Sequence, residues 1–281
     1  MIFYCLESET GLAEQSHFLR QACDVRSIEY ISIDPLLFDE FSGRLPSTDD
    51  LFYRIAIGTK ARLLESRLLL ASPATFYGSL TRGLTSMLYP TLVYQLHHIP
   101  IPPTLYFPAH HLSDLEKHVE QIGGFPLVIK AMGGSHGVGV MKVDSLASLK
   151  SVLDYVRQDS VVMVRKFIEA QTSARCIVLG GKVIDSIEYQ VPPGDFRSNV
   201  GDQPLVKPKK FSAEIEKLAT DATTALQLEF SGVDIITDHS GVSYVMEVNF
   251  PCNFARAQAA TGVDIAGQMI DHLSGKITTK V

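Results

Sequence analysis

The chain has 281 residues, 46% of them hydrophobic, and a formal charge of −6 from 31 acidic against 25 basic side chains. That length and apolar share predict one large or two modest folded units rather than a disordered tail. The negative balance argues against nucleic acid or anionic lipid as a principal partner. No apolar run reaches the roughly 18 residues of a membrane span, and MIFYCLESET lacks the basic flank and cleavage pattern of a secretory signal, so the expected location is the cytoplasm. Cys5, Cys23, Cys176 and Cys252 are scattered without CxxC spacing, which predicts buried, reduced thiols rather than a zinc cluster or disulfide framework.

In chain order, MIFYCLE reads as a short apolar strand, Gly11 to Cys23 as a helix and SIEYISI as an alternating strand. DLFYRIAI is strand-like, and Ala61 to Leu70 carries enough Leu and Arg for a helix that Pro73 closes. These elements make one α/β unit of the first 85 residues. After IPIPPT near Pro100, a second unit holds a helix from Ser113 to Ile122, the strand PLVIK, a glycine-rich loop, another helix and the strand VVMVRKFI. RCIVLGGKVIDSIEY predicts a hairpin, because adjacent Gly180 and Gly181 accept the positive φ angles of a two-residue turn. Ser212 is placed to cap a helix with the apolar stripe Ile215, Leu218, Ala222 and Leu226.

SGVDIITDHSGVSYVMEVN carries the most chemistry. Two strand-like runs flank Asp238, His239, Ser240 and Gly241, which predicts an antiparallel hairpin. With those four residues as the loop, Asp234 lies opposite Val245 and on the face of Glu247 and Asn249. The opposite face would carry Val233, Ile235, Tyr244, Met246 and Val248 into a core. Three oxygen-bearing side chains on one face suit Mg²⁺, especially where substrate phosphates complete its shell, while a solvated edge hairpin is the structural alternative. Upstream, FPLVIKAMGGSHGVGVMKV delivers Lys130 from an apolar strand into a loop containing Gly133, Gly134, Gly137 and Gly139. Backbone N–H groups of such a loop can cradle phosphate and Lys130 adds a charge, although a flexible hairpin would use glycines too. PPGDFRSNV adds Arg197 and Asn199, and Arg175 lies on the preceding hairpin with Glu188 as a candidate partner across it.

Taken in order, PLVIK with GGSHGVGV, VRKFI, ARCIVLGGKV, GDFRSN, SGVDI, MEVN and TGVDIAGQMI resemble the RimK-type, alpha-L-glutamate ligase-like branch of the ATP-grasp superfamily over residues 86–281. The resemblance implies an α/β (α+β) ATP-grasp fold. Residues 1–85 would form a pre-ATP-grasp domain, 105–168 a central lid subdomain and 169–281 a C-terminal antiparallel-sheet subdomain. It implies ATP-dependent joining of a carboxylate to an amine through an acyl phosphate, on an amino acid or peptide substrate. Lys130, Gly134 and Gly137 would hold the nucleotide phosphates, and backbone groups of the hinge at Phe167 and Ile168 would meet adenine. Asp234, Glu247 and Asn249 would bind Mg²⁺, with Mn²⁺ as an alternative, while Arg175, Arg197 and Asn199 face the reacting phosphoryl group. Asn253 and Arg256 are candidates for substrate binding, and homo-oligomerisation stays open.

Three positions depart from the family pattern. Met87 stands where a nucleotide-contacting lysine is usual, Lys166 replaces the acidic hinge residue, and Ser173 replaces the Asp two places before Arg175. After MEVN, the Ser-Pro-Gly turn of glutamate ligases gives way to Phe250, Pro251, Cys252, Asn253, Phe254, Ala255 and Arg256. The departures motivate a second reading, a catalytically silent nucleotide- or metabolite-binding module. Cys252 is expected to pack rather than act as a nucleophile. His97, His98, His110 and His111 sit as adjacent pairs unsuited to metal ligation from one helical face, and His136 in the glycine loop stays ambiguous. Lys207, Lys209 and Lys210 could attract an acidic substrate or lie in a solvated loop.

Overall fold

The structure is a computed structural model that describes residues 1–7, 13–39, 43–78, 90–106, 108, 111–131, 139–156, 162–191, 195–197 and 205–278. Its first layer is a three-stranded parallel sheet in which β1 (Ile2–Leu6) lies between β2 (Glu29–Ile33) and β3 (Leu51–Arg54). Helix α1 (Ala13–Val25) makes the β1-to-β2 crossover, and α2 (Thr59–Leu69) follows β3. All five residues of β1 are buried, as expected of a central parallel strand covered on both faces.

Helix α3 (Pro90–Leu96) leads to a second sheet, antiparallel throughout, ordered β4 (Thr104–Leu105), β7 (Val162–Lys166), β5 (Leu127–Ala131), β6 (Val140–Val143). Helices α4 (Leu112–Gln121) and α5 (Leu146–Val156) cover one face, where Leu115, Val119, Leu127, Ile129, Leu149, Leu153 and Val164 form a core. Alternation along the strands sends Lys130, Val128, Met163 and Arg165 to the opposite face.

The third sheet is also antiparallel. Its order is β10 (Val206–Pro208), β9 (Lys182–Tyr189), β8 (Ala170–Leu179), β11 (Phe230–Asp238), β12 (Ser243–Asn249). The expected two-residue turn joins β8 to β9, with Leu179 opposite Lys182 and φ angles of +56° at Gly180 and +77° at Gly181. Helix α6 (Ala213–Ala225) packs Ala219 and Ala222 against Cys176, Val178, Val233, Ile235 and Val245. Ser212 occupies its N-cap position in extended conformation, yet its hydroxyl makes no capping bond to the helix. The sheet's other face carries Ile177, Leu179 and Phe230. There it joins α7 (Ala255–Thr261), α8 (Ile265–Thr278) and the parallel layer in one core that includes Phe3, Leu19, Tyr53, Phe76, Phe254 and Met269. Tyr53 is fastened to the loop after β12, accepting a hydrogen bond from the Cys252 N–H at 3.1 Å. Arg26 grips Asp271 with Nε and Nη2 at 2.6 and 2.7 Å, tying α1 to α8.

Candidate functional site

The β11–β12 hairpin differs in register from its expected pairing, and the difference places the acids. Asp238 Oδ1 accepts from the N–H groups of Ser240 and Val242, both at 2.9 Å, which widens the loop to Asp238–Val242 and sets Thr237 opposite Ser243. Ile235 then faces Val245, and Asp234 faces Glu247 rather than Val245, leaving Met246 as a bulge. The extra residue moves Val245 into the core in place of Tyr244 and Met246, which are only partly buried, while Val248 stays inside as expected. Asp234, Glu247 and Asn249 nevertheless share one face, because the bulge lies before Glu247 and corrects the one-residue loop error.

Arg175, across β8 from Asp234, donates Nε to Asp234 Oδ1 at 2.5 Å and Nη2 to Oδ2 at 2.9 Å. Asn249 Nδ2 donates to the same Oδ2 at 3.2 Å, which turns its amide oxygen away from Asp234. Burial pushes the Asp234 carboxyl up and the Arg175 guanidinium pulls it back. The partner expected for Arg175, Glu188, is instead held by Lys207 at 2.8 Å and Lys209 at 2.6 Å, since Glu188 lies opposite Ala174 and points to the other face. Those two lysines therefore serve a nearly buried carboxylate.

Glu247 is the most open of the trio, its side chain 52% exposed, and Lys130 reaches it from the second sheet with Nζ 3.6 Å from Oε2. A cation on the second sheet and a carboxylate on the third thus meet where the two sheets face each other. Glu247 and the Asn249 amide oxygen are hard donors, and Asp234 keeps lone pairs beyond its bonds to Arg175, so the set fits a magnesium ion that takes most of its shell from phosphates. Arg197 pairs with Asp195, Nη2 to Oδ2 at 2.8 Å, and Phe196 stands edge-on to Phe167 with centroids 6.1 Å apart. Lys142 Nζ lies 3.9 Å from the Phe167 ring centroid. Lys142, Phe196 and Arg165 drew no role from the sequence, although Phe196 and Arg165 lie within GDFRSN and VRKFI and strand pairing puts Lys142 and Arg165 on the face of Lys130.

At the hinge, the Phe167 N–H donates to the Pro126 carbonyl at 3.1 Å. Lys166 donates to the carbonyls of Gly124 and Phe125, both at 3.0 Å, so its departure from the acidic pattern has a local structural use. Ser173 is buried within the sheet opposite Ile236. Cys252 is fully buried, and burial pushes its thiol up to about 12, as befits a packing residue. Asn253 is exposed, and Arg256 is close enough to Tyr189 to lower a phenol that burial raises. Met87, Gly133, Gly134, His136, Gly137, Asn199 and His110 lie outside the described residues.

The RimK-like ATP-grasp domain family matches residues 91–273. The chain belongs to that family. Relatives include a probable alpha-L-glutamate ligase of Serratia proteamaculans, 38% identical over 168 residues that make up 59% of this chain and 56% of the relative. The ribosomal protein bS6--L-glutamate ligase of Escherichia coli is 33% identical over 175 residues, 61% of this chain and 58% of that protein. The matched stretch thus spans a little over half the length of these curated relatives. Among solved structures, the D-cycloserine synthetase DcsG superposes with a TM-score of 0.75 at 14% identity over 99% of this chain and all of that one. The ATP-grasp ligase PsnB with its minimal precursor gives 0.74 at 16% identity over 98% and 99%. At such identities the likeness shows the ATP-grasp fold alone, but it extends that fold over the N-terminal layer, which the RimK-like family match leaves out.

Proposed function

We propose that this RimK-like ATP-grasp chain is an ATP-dependent ligase that joins a carboxylate to an amine, with an amino acid or peptide among its substrates. The observation that carries this reading is the meeting of Lys130 from the second sheet with Glu247 of the third at 3.6 Å, beside Asp234 and Asn249. In the proposed reaction, a substrate carboxylate oxygen attacks the γ-phosphorus of ATP in line, the bond to the β-phosphate oxygen breaks, and ADP leaves. The amine nitrogen then attacks the acyl carbon, phosphate departs with the bonding pair, and the nitrogen loses a proton to solvent. Phosphoryl transfer needs positioning and charge stabilisation more than a protein nucleophile, which agrees with the buried, raised Cys252 thiol. Lys130 would neutralise nucleotide phosphate, and Arg197, half-exposed on its loop, would face the transferring group. Arg175 would act through Asp234, fixing the carboxylate that its guanidinium already clamps. Glu247, Asn249 and Asp234 would hold Mg²⁺, which supplies neutralisation of phosphate charge when bound. PsnB, a structural neighbour, is complexed with Mg and ADP. Asn253 and Arg256, which follow β12, would meet the acceptor. We also assign residues 1–85 to a pre-ATP-grasp unit and 86–281 to the ATP-grasp domain, with 105–168 as its lid subdomain.

The test is incubation with ATP, Mg²⁺ and a pool of amino acids and short peptides, followed by phosphate release and mass spectrometry of ligated products. Substrate-stimulated ADP formation with a new condensed mass is expected. Nucleotide binding without stimulated ADP formation across a broad pool would instead make the chain a silent binding module.

A further inference from the structure

The bulge that places Glu247 leaves its own backbone without a strand partner. Met246 is skipped by the β11–β12 pairing, in which Ile235 faces Val245 and Asp234 faces Glu247, and β12 is the last strand of its sheet. A bulged residue drops out of the ladder, so its carbonyl needs a donor from elsewhere. That donor comes from the second sheet, where Arg165 on β7 extends Nη1 to the Met246 carbonyl at 3.4 Å. Among the described residues this is the only hydrogen bond of Arg165 and no carboxylate pairs with it, although the residue is 4% exposed. Its Nε has no partner, and Glu247 is among the groups that act electrostatically on it. An apolar side chain of similar length would cost less at such a position than a singly bonded cation. The contact with Met246 and Glu247 is what distinguishes the arginine from that cheaper choice.

Two cations on one face of the second sheet converge on this stretch. Lys130 pairs with Met163, and Arg165 follows two residues later on β7, about 7 Å along the strand. Lys130 meets the Glu247 carboxylate at 3.6 Å, and Arg165 meets the carbonyl immediately before it. The Lys130 contact is open to solvent, so water or a ligand replaces it readily. The Arg165 contact is enclosed, where a hydrogen bond is electrostatically stronger. On the other side of Glu247, the Tyr94 hydroxyl from α3 comes near the Val248 backbone. The chain is thus backed on both flanks of the acid.

We propose that Arg165 is a positioning residue for the metal site: by holding the Met246 carbonyl it keeps the bulge in place and aims the Glu247 carboxylate at Mg²⁺, without touching nucleotide or metal. This inference rests on the metal reading given above. A buried cation near a metal also repels it, which would make removal of Arg165 tighten metal binding. Positioning and repulsion therefore predict opposite signs.

The experiment measures how much Mg²⁺ tightens binding of a ribose-labelled fluorescent ATP analogue, as the ratio of affinities with Mg²⁺ and in EDTA. The full chain is compared with E247Q, R165M and R165K, with a thermal midpoint for each. E247Q sets the floor. R165M is expected to drop the ratio about ten-fold toward that floor, the low end of the cost of losing a group that orients a metal ligand, with its affinity in EDTA unchanged. R165K, which keeps a donor on a chain of similar reach, should stay within about three-fold of the wild type. Should R165M fail to fold, R165Q, whose shorter chain stops short of the carbonyl, is held to the same outcomes. An unchanged ratio overturns the proposal, and so does an increased one, which makes Arg165 a repelling charge. Equal weakening with Mg²⁺ and in EDTA overturns it as well, as does an R165K no better than R165M. A wild type whose binding Mg²⁺ does not tighten sinks the metal reading itself.

Discussion

Replacing Glu247 with Gln leaves the shape of the side chain and removes one charge, so it separates a metal-binding role from a structural one. The Glu247 side chain is 52% exposed and its ion-pair partner Lys130 is 33% exposed at 3.6 Å. A pair this open contributes about 0.2–1 kcal/mol, and 1 kcal/mol moves the midpoint of a chain of this size by about 2–4 °C. E247Q is therefore expected to melt within about 4 °C of the wild type. Turnover should fall far more, by about 10²–10³-fold, the usual penalty for removing one group aimed at developing charge. Substrate-stimulated phosphate release measures the second quantity, and differential scanning fluorimetry the first. A titration of Mg²⁺ should also show a weakened metal dependence in the variant. Full activity in E247Q would refute the metal assignment, and a collapse of stability in step with activity would return Glu247 to a structural part.

Arg175→Met should cost up to about 3–5 kcal/mol in urea unfolding, since it leaves the largely buried Asp234 carboxylate without its counter-charge. The pair R175M with D234L should recover most of that loss, and a single variant as stable as the wild type would show that the ion pair carries no weight. All four cysteines are buried, and burial raises the thiols of Cys23, Cys176 and Cys252 to about 12. Iodoacetamide at pH 8 should leave the native chain unmodified and alkylate four sites in urea, while C252A keeps its turnover; a well-folded but inactive C252A would contradict the packing assignment. Burial would raise the Glu229 carboxyl, but hydrogen bonds from His272 and Lys276 outweigh it and hold its pKa below the ordinary value. Its contribution is thus complete above the unfolded-state value, about 4.3, and disappears as pH falls through the depressed folded value. The stability gap between wild type and E229Q should be present at neutral pH and close in strong acid, and a gap independent of pH would be inconsistent with this linkage.

Where sequence and structure agree, one residue type had few alternatives. Adjacent Gly180 and Gly181 announce their turn because both residues need positive φ, which other residues take with strain. Glu247 and Asn249 were legible as one face because alternation along a strand is short-range, and Asp234 joins that face only because the bulge offsets the longer loop. The register of their hairpin was not. The five-residue loop depends on how Asp238 bonds its own turn, and the bulge at Met246 leaves no trace in composition. Strands β4, β6 and β10, with 2, 4 and 3 residues, are too short for a period to show. The partners of Glu188 come from lysines near β10, about twenty positions away, while Arg175 chose the residue across the neighbouring strand. Arg165 was hidden for a related reason. In VVMVRKFI it reads as a polar break near the end of an apolar strand, and only the packing of two sheets reveals that it is enclosed.

The core shared by the first layer and the C-terminal sheet has a consequence for any shortened version of the chain. The family likeness begins at residue 91, which invites cutting there. Such a cut would strip Phe3, Leu19, Tyr53 and Phe76 from Phe230, Phe254 and Met269, leaving a broad greasy flank open to water. It would also unhook Tyr53 from the backbone that leads on from Asn249. The stretch least visible to sequence comparison is therefore the lining behind the acid-bearing sheet, and a fragment made without it would be sticky before it could be useful.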